Sequence, residues 1–101
     1  MLRVNNILVN GRPVANQYIM HNCDNIYIFQ SYKSIIAEVD LDKAEIIIYL
    51  NYDVSRTTSK YRNVFFSRLG FDEIATTDGL KKAIKDGGFS GYKVIYKNVN
   101  P

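Results

Sequence analysis

Five consecutive apolar residues, Ile46-Ile47-Ile48-Tyr49-Leu50, place the tightest limit on how this 101-residue chain can fold. A strand that is apolar on both faces belongs in the middle of a sheet with at least one face covered. Left exposed, it would drive aggregation. The run is also far shorter than the roughly 20 residues that span a bilayer. It is preceded by Asp40-Leu41-Asp42-Lys43, whose Asp side chains can bond their own backbone and close a turn. Residues 34–39 and 44–50 are therefore read as the two arms of a hairpin.

The chain before that hairpin reads as further strands broken by turn chemistry. Asn10-Gly11 lies between Ile7-Leu8-Val9 and Val14-Ala15, and Asn-Gly suits a two-residue type I′ turn because both residues tolerate positive φ. Pro13 has no N–H to donate, so the second arm is expected to be an edge strand or to begin just after it. Residues 17–22 alternate less cleanly. Asp24-Asn25 then breaks the chain before Ile26-Tyr27-Ile28-Phe29, which suggests another hairpin.

After Asp53 the period changes from two to 3.6. Tyr61, Val64, Phe65 and Leu69 fall within an arc of about 140° on a helical wheel, which predicts a helix over residues 55–69 covering one face of the sheet. Ser55, Thr57 and Thr58 supply N-cap hydroxyls, and Gly70 suits the left-handed position past the helix end. Phe66 lies off the arc and meets either a second surface or the segment that follows. A short second helix follows Thr76-Thr77-Asp78, buries Leu80, Ala83 and Ile84, and stops at Gly87-Gly88. Residues 92–99 alternate as a strand. With 47% hydrophobic and 23% charged residues the chain is globular in composition. The expected fold is a single α+β domain over residues 1–101: an antiparallel β-meander packed by one main helix, a short second helix and a C-terminal strand.

Residues 1–54 hold four bases and six acids, and residues 55–101 hold nine bases and four acids, so the halves carry about −2 and +5. Arg56, Lys60, Arg62, Lys81, Lys82 and Lys85 form the basic candidate set, to which Lys93 and Lys97 add. Interleaved with Tyr61, Tyr92 and Tyr96 they would grip phosphates and stack the bases of a single strand. On the wheel, however, Arg56 and Lys60 lie about 40° apart and Arg62 about 200° further on, so the three make no single stripe. Glu38, Asp40, Asp42 and Glu45 form the acidic set; they lack the spacing, glycine and bidentate glutamate of a calcium loop, and read as a solvated turn. His21 and Cys23 would share a strand face as a base and a nucleophile, but two residues without an oxyanion donor make no catalytic centre. Zinc would need more Cys and His ligands than the chain owns. The glycines match no phosphate-binding spacing. No catalytic residue, cofactor or metal is expected, and the single cysteine with no apolar leader favours a cytosolic protein without a membrane.

Ser31-Tyr32 followed by Ile36-Ala37, and then Tyr52-Asp53 with Ser55, Thr57-Thr58, Lys60 and Phe65, roughly follow the pattern "SY..IA", with one residue more between the two pairs here, and "YD.S.TT.K....F". In these features, over about residues 27–67, the chain resembles a family of small uncharacterised proteins from bacteriophages and related mobile elements. The resemblance implies a phage origin and a place in the host bacterial cytoplasm; it carries no activity with it. The Ser-Thr motif reads as a structural corner where hydroxyls satisfy the N–H groups of a helix first turn, with a binding role as the alternative. The expected function is that of a non-enzymatic accessory protein that binds and inhibits or redirects a bacterial host or defence protein, for instance as an anti-CRISPR. The acidic set would meet a basic channel, or the basic set an acidic surface. The alternative is a single-stranded nucleic-acid-binding accessory protein. A homodimer through the Arg12-Pro13 arm is the further partner considered.

Overall fold

The computed structural model describes residues 2–101. Seven strands, β1 (Arg3–Val9), β2 (Arg12–His21), β3 (Ile26–Ser31), β4 (Ser34–Asp40), β5 (Glu45–Tyr49), β6 (Gly88–Phe89) and β7 (Tyr92–Lys97), join in one sheet. Between β5 and β6 the chain forms helix α1 (Arg56–Arg68), a 3₁₀ turn at Asp72–Ile74, and helix α2 (Thr77–Asp86). The strand order is β1-β2-β3-β4-β5-β7-β6. The isoleucine strand β5 thus has a neighbour on each side, as its composition demands. All pairings are antiparallel except β5–β7, which run parallel. A parallel neighbour requires a long crossover, and α1 and α2 are that crossover. The α+β class stands, with the refinement that the returning strand runs parallel to β5.

Turn chemistry closes the hairpins. Asn10 and Gly11 both take positive φ, 53° and 76°. Asp40 Oδ1 accepts from the N–H groups of Asp42 and Lys43, both at 3.0 Å. Asn22 Oδ1 accepts from Asp24 and Ile26 to shape the β2–β3 turn. Pro13 corrects one expectation: β2 is not an edge strand but lies between β1 and β3. Its pairing with β3 covers only Gln17 to His21, so Pro13 sits in the part of β2 that β3 does not reach. Opposite the single residue Ile7, β2 carries four residues between Pro13 and Tyr18. This bulge explains the uneven alternation there, places Asn16 at φ 64° and turns Gln17 fully into the core. The Gln17 amide finds no hydrogen-bond partner among the described residues.

The register assigns the faces. Phe29, Ala37 and Ile48 stand opposite one another, as do Tyr27, Val39, Ile46 and Val94, and on this face lie both helices. Phe65 stacks on Phe29 with centroids 5.7 Å apart, and Leu80, Ala83 and Ile74 complete the cluster. The buried side of α1 is Thr58, Arg62, Phe65 and Phe66, rotated from the predicted arc; Tyr61, Val64 and Leu69 are half-buried at its margin. Phe66 is wholly buried and packs edge-on to Phe65. The N-cap hydroxyl is that of Ser55, accepting from Thr58 N–H at 3.2 Å, rather than Thr57 or Thr58. At the other end Phe71 N–H bonds Phe66 C=O and Gly70 N–H bonds Ser67 C=O, the paired bonds of a Schellman cap, with Gly70 at φ 85°.

Candidate functional site

The motif residues from Tyr52 onward build a joint between the sheet and both helices. Its centre is Arg62, fully buried. The guanidinium donates to Tyr52 C=O at 2.6 Å, Thr77 Oγ1 at 2.7 Å and Asn63 Oδ1 at 2.9 Å, and Asp53 lies at 3.7 Å. Burial pulls its pKa below the ordinary value, and the Asp53 charge acts against that pull. Asp53 in turn accepts from Ser59 Oγ at 2.8 Å and pairs with Lys81 at 3.2 Å. The Ser59 bond, foremost, and Lys81 hold its carboxyl below the usual range against partial burial. Ser31 Oγ lies 3.0 Å from Thr58 Oγ1 in the core. The two halves of the pattern, one around Ser31 and one around Thr58, are therefore bonded to each other. Within this joint Arg62 is structural, which corrects its place among the surface candidates.

The other basic candidates lie on the helix side. Arg56 and Lys60 are exposed on the side of α1 away from the sheet, with Lys60 Nζ 5.2 Å from the Tyr61 ring. Lys81, Lys82 and Lys85 share the exposed arc of α2, Lys81 being engaged by Asp53. Lys93 and Lys97 fall on the opposite face of the sheet, because Val94 between them in alternation faces the helices. Of the three aromatic residues only Tyr61 meets one of these cations, Lys60; Tyr92 packs against Phe71 at 5.0 Å, and Tyr96 meets Tyr52 edge-on at 5.9 Å.

The acidic candidates Glu38, Asp40 and Glu45 alternate onto the face away from the helices, with Asp42 in the turn beside them. Three of the four are engaged locally. Asp40 closes its turn, Asp42 accepts from Asn25 at 3.2 Å, and Glu38 accepts from Tyr49 OH at 2.9 Å. Burial, reinforced by Glu38, pushes the Tyr49 phenol up to about 12. The acidic set thus lies on the side of the molecule opposite Arg56, Lys60, Lys81, Lys82 and Lys85, while Lys93 and Lys97 share its face.

The same face carries a feature that charge does not reveal. One continuous cross-strand row, Val4, Met20, Ile28, Glu38, Ile47 and Ile95, crosses β1 to β7. Five of its six side chains are apolar, and among the described residues neither helix packs over them. The warning was present in the sequence, because Ile26-Tyr27-Ile28-Phe29 and the isoleucine run are both apolar on two faces while the helices suffice for one. Toward β1 the row borders a depression of about 640 Å³ lined by Val4, Asn16, Tyr18, Gln30, Tyr32 and Lys33. Tyr32 sits there at φ 56° with 52% of its surface exposed.

His21 stacks on Tyr27 with centroids 4.2 Å apart. Cys23 lies beyond the end of β2 in an exposed turn rather than on the strand, and with Arg3, His21 and Asn22 it lines a depression of about 410 Å³. Among the described residues no three of His, Cys, Asp and Glu gather as a metal site, and no helix is long and apolar enough to cross a membrane. Residues 7–87 match a family of unknown function, DUF8033. No curated protein and no solved structure matches the chain.

Proposed function

We propose that the protein, which belongs to the DUF8033 family of unknown function, is a non-enzymatic binding protein that engages a protein partner. The apolar row from Val4 to Ile95, on a face that neither helix covers, carries this reading; Val4 is exposed there and Met20, Ile28, Ile47 and Ile95 are half-buried. Burying such a row stabilises a complex by about 25 cal/mol per Å² of apolar surface removed from water, and contiguous apolar area at a surface marks an interaction site. In the setting that the resemblance to phage proteins implies, the partner is a bacterial host or defence protein, and the outcome is blockade or redirection of its complex.

The second reading is single-stranded nucleic-acid binding by Arg56, Lys60, Lys82 and Lys85, which share the helix side. With Arg62 buried and Lys81 engaged by Asp53, that surface has lost two of its expected cations. Two measurements separate the readings. Met20→Lys puts a charge into the apolar row and is expected to abolish capture of the protein partner from a bacterial lysate, while Lys60→Glu and Lys82→Glu leave it intact. Retardation of a single-stranded oligonucleotide that weakens steeply between about 50 and 200 mM salt, and vanishes in the Lys60→Glu and Lys82→Glu variants, would overturn the protein-binding reading.

A further inference from the structure

We infer that the outer edge of β1 is a strand-addition site for an extended acidic segment of a protein partner, with one apolar side chain of that segment seated in the depression beside Val4. This rests on the protein-binding reading above and names where and what the protein binds.

The backbone supplies the first part. β1 and β6 are the outer strands; β6 has two residues and β1 has seven. The two-residue Asn10-Gly11 turn makes Val9 and Arg12 a pair bonded to each other. Alternation then turns the N–H and C=O groups of Leu8, Asn6 and Val4 away from β2. The opposition of Leu8 to Pro13, which has no N–H, fits that phase. The Leu8 carbonyl accepts from the Arg68 guanidinium at the end of α1, which leaves Val4 and Asn6 as open rungs. Edges that must stay unpaired are blunted by Lys, Pro or bulges on the edge strand. β1 has no Lys and no Pro, the bulge beside it lies on β2, and Val4 is 56% exposed.

Charge and the depression supply the occupant. Residues 1–22 contain no Asp or Glu; Arg3 lies on β1, Arg12 pairs with Val9 across the turn, Lys33 lines the depression with Val4, and Arg68 holds the Leu8 carbonyl. A second copy of the chain would bring like charges together, whereas an acidic segment complements them. On an added strand alternate side chains face the sheet surface that holds Val4, and the pocket between Tyr18 and Tyr32 takes one of them. A tyrosine at positive φ is a position that bulky residues avoid, and such outliers persist where surrounding bonds hold them. Here Tyr32 N–H donates to Asn16 C=O at 2.7 Å and Tyr32 C=O accepts from Gln30 Nε2 at 2.7 Å. The turn is thereby fixed with its ring presented to solvent as an anchor.

The test titrates the intact protein with two short capped peptides, one alternating Glu and Val, the other Lys and Val, and follows amide exchange and shifts by NMR. The Glu-Val peptide is expected to slow exchange at Val4 and Asn6 by about tenfold or more and to shift Tyr18 and Tyr32, and the Lys-Val peptide to do neither. Asn6→Pro, which removes one rung together with the Asn6 side-chain bond to Val14 C=O, and Val4→Glu, which sets a negative charge against the acidic segment at an exposed position, are each expected to erase the effect. Equal action of both peptides, shifts on the helices instead of β1, or β1 protected without peptide in a concentration-dependent dimer would overturn the inference. If no peptide touches β1 while Met20→Lys still abolishes partner capture, the edge site falls and the protein-binding reading stands. If the peptide binds at β1 and Met20→Lys leaves capture intact, the apolar row falls and the edge site stands.

Discussion

Arg62 shows how a single residue misleads when read by charge alone. A helical wheel built from apolar residues centres the buried side of α1 near Tyr61, and the true side is turned toward Thr58 and Arg62 because each brings its own hydrogen bonds into the core. No wheel of apolar residues can show that, since burial of a guanidinium depends on the Tyr52 carbonyl and the Thr77 hydroxyl, ten and fifteen residues away. The one hint was angular: Arg56 and Lys60 lie about 40° apart, and Arg62 about 200° further on. Arg62→Met is expected to lower stability by about 3 kcal/mol, the loss typical when one partner of a buried charged network is removed. Arg62→Lys would recover little, because an ammonium cannot span the same planar set of acceptors. Lys60→Ala, on the solvent side, should change stability by less than about 0.5 kcal/mol. Urea unfolding of the three variants reads these differences directly.

At the scale of elements, the joint between β5, α1 and α2 is held through Asp53, and its pH response follows. The folded carboxyl titrates below the ordinary 3.8, so an unfolded chain takes up the proton first as pH falls. The stabilisation is complete above the ordinary carboxylate range and is lost as pH drops through 3.8 and below. Asp53→Asn should therefore unfold at lower urea than the unsubstituted protein at pH 7, and the gap should close below pH 3.8. The elements legible in the sequence were those specified locally: the Asn10-Gly11 turn, the Asp40 turn and the helix ended by Gly70. The turn at Tyr32 was not legible, because its backbone is held by Asn16 and Gln30 from outside the turn. Nor was the parallel pairing, which depends on two segments about 45 residues apart. Among the candidate site residues, exposure of Arg56, Lys60, Lys82 and Lys85 followed from helical period. The apolar row did not, since it exists only once six strands are in register.

For the whole molecule the sheet is the organising object, and β7 is the piece that completes it. It covers the outer edge of β5, and Val94 enters the core beside Ile46. A chain ending at Gly87 would retain both helices yet leave Ile46-Ile47-Ile48 as an open, flat, β-branched edge. That truncation is expected to move the protein from a discrete peak to large aggregates in size-exclusion chromatography with light scattering, whereas removing residues 98–101 should not. The order of the strands also has a temporal meaning. During synthesis the meander emerges from the ribosome first, and the strand that shields its isoleucine ribbon follows only after both helices. Until β7 has cleared the exit tunnel, a nascent chain holds its stickiest segment half-clad, so that the helices alone, once out, cannot complete the sheet around it.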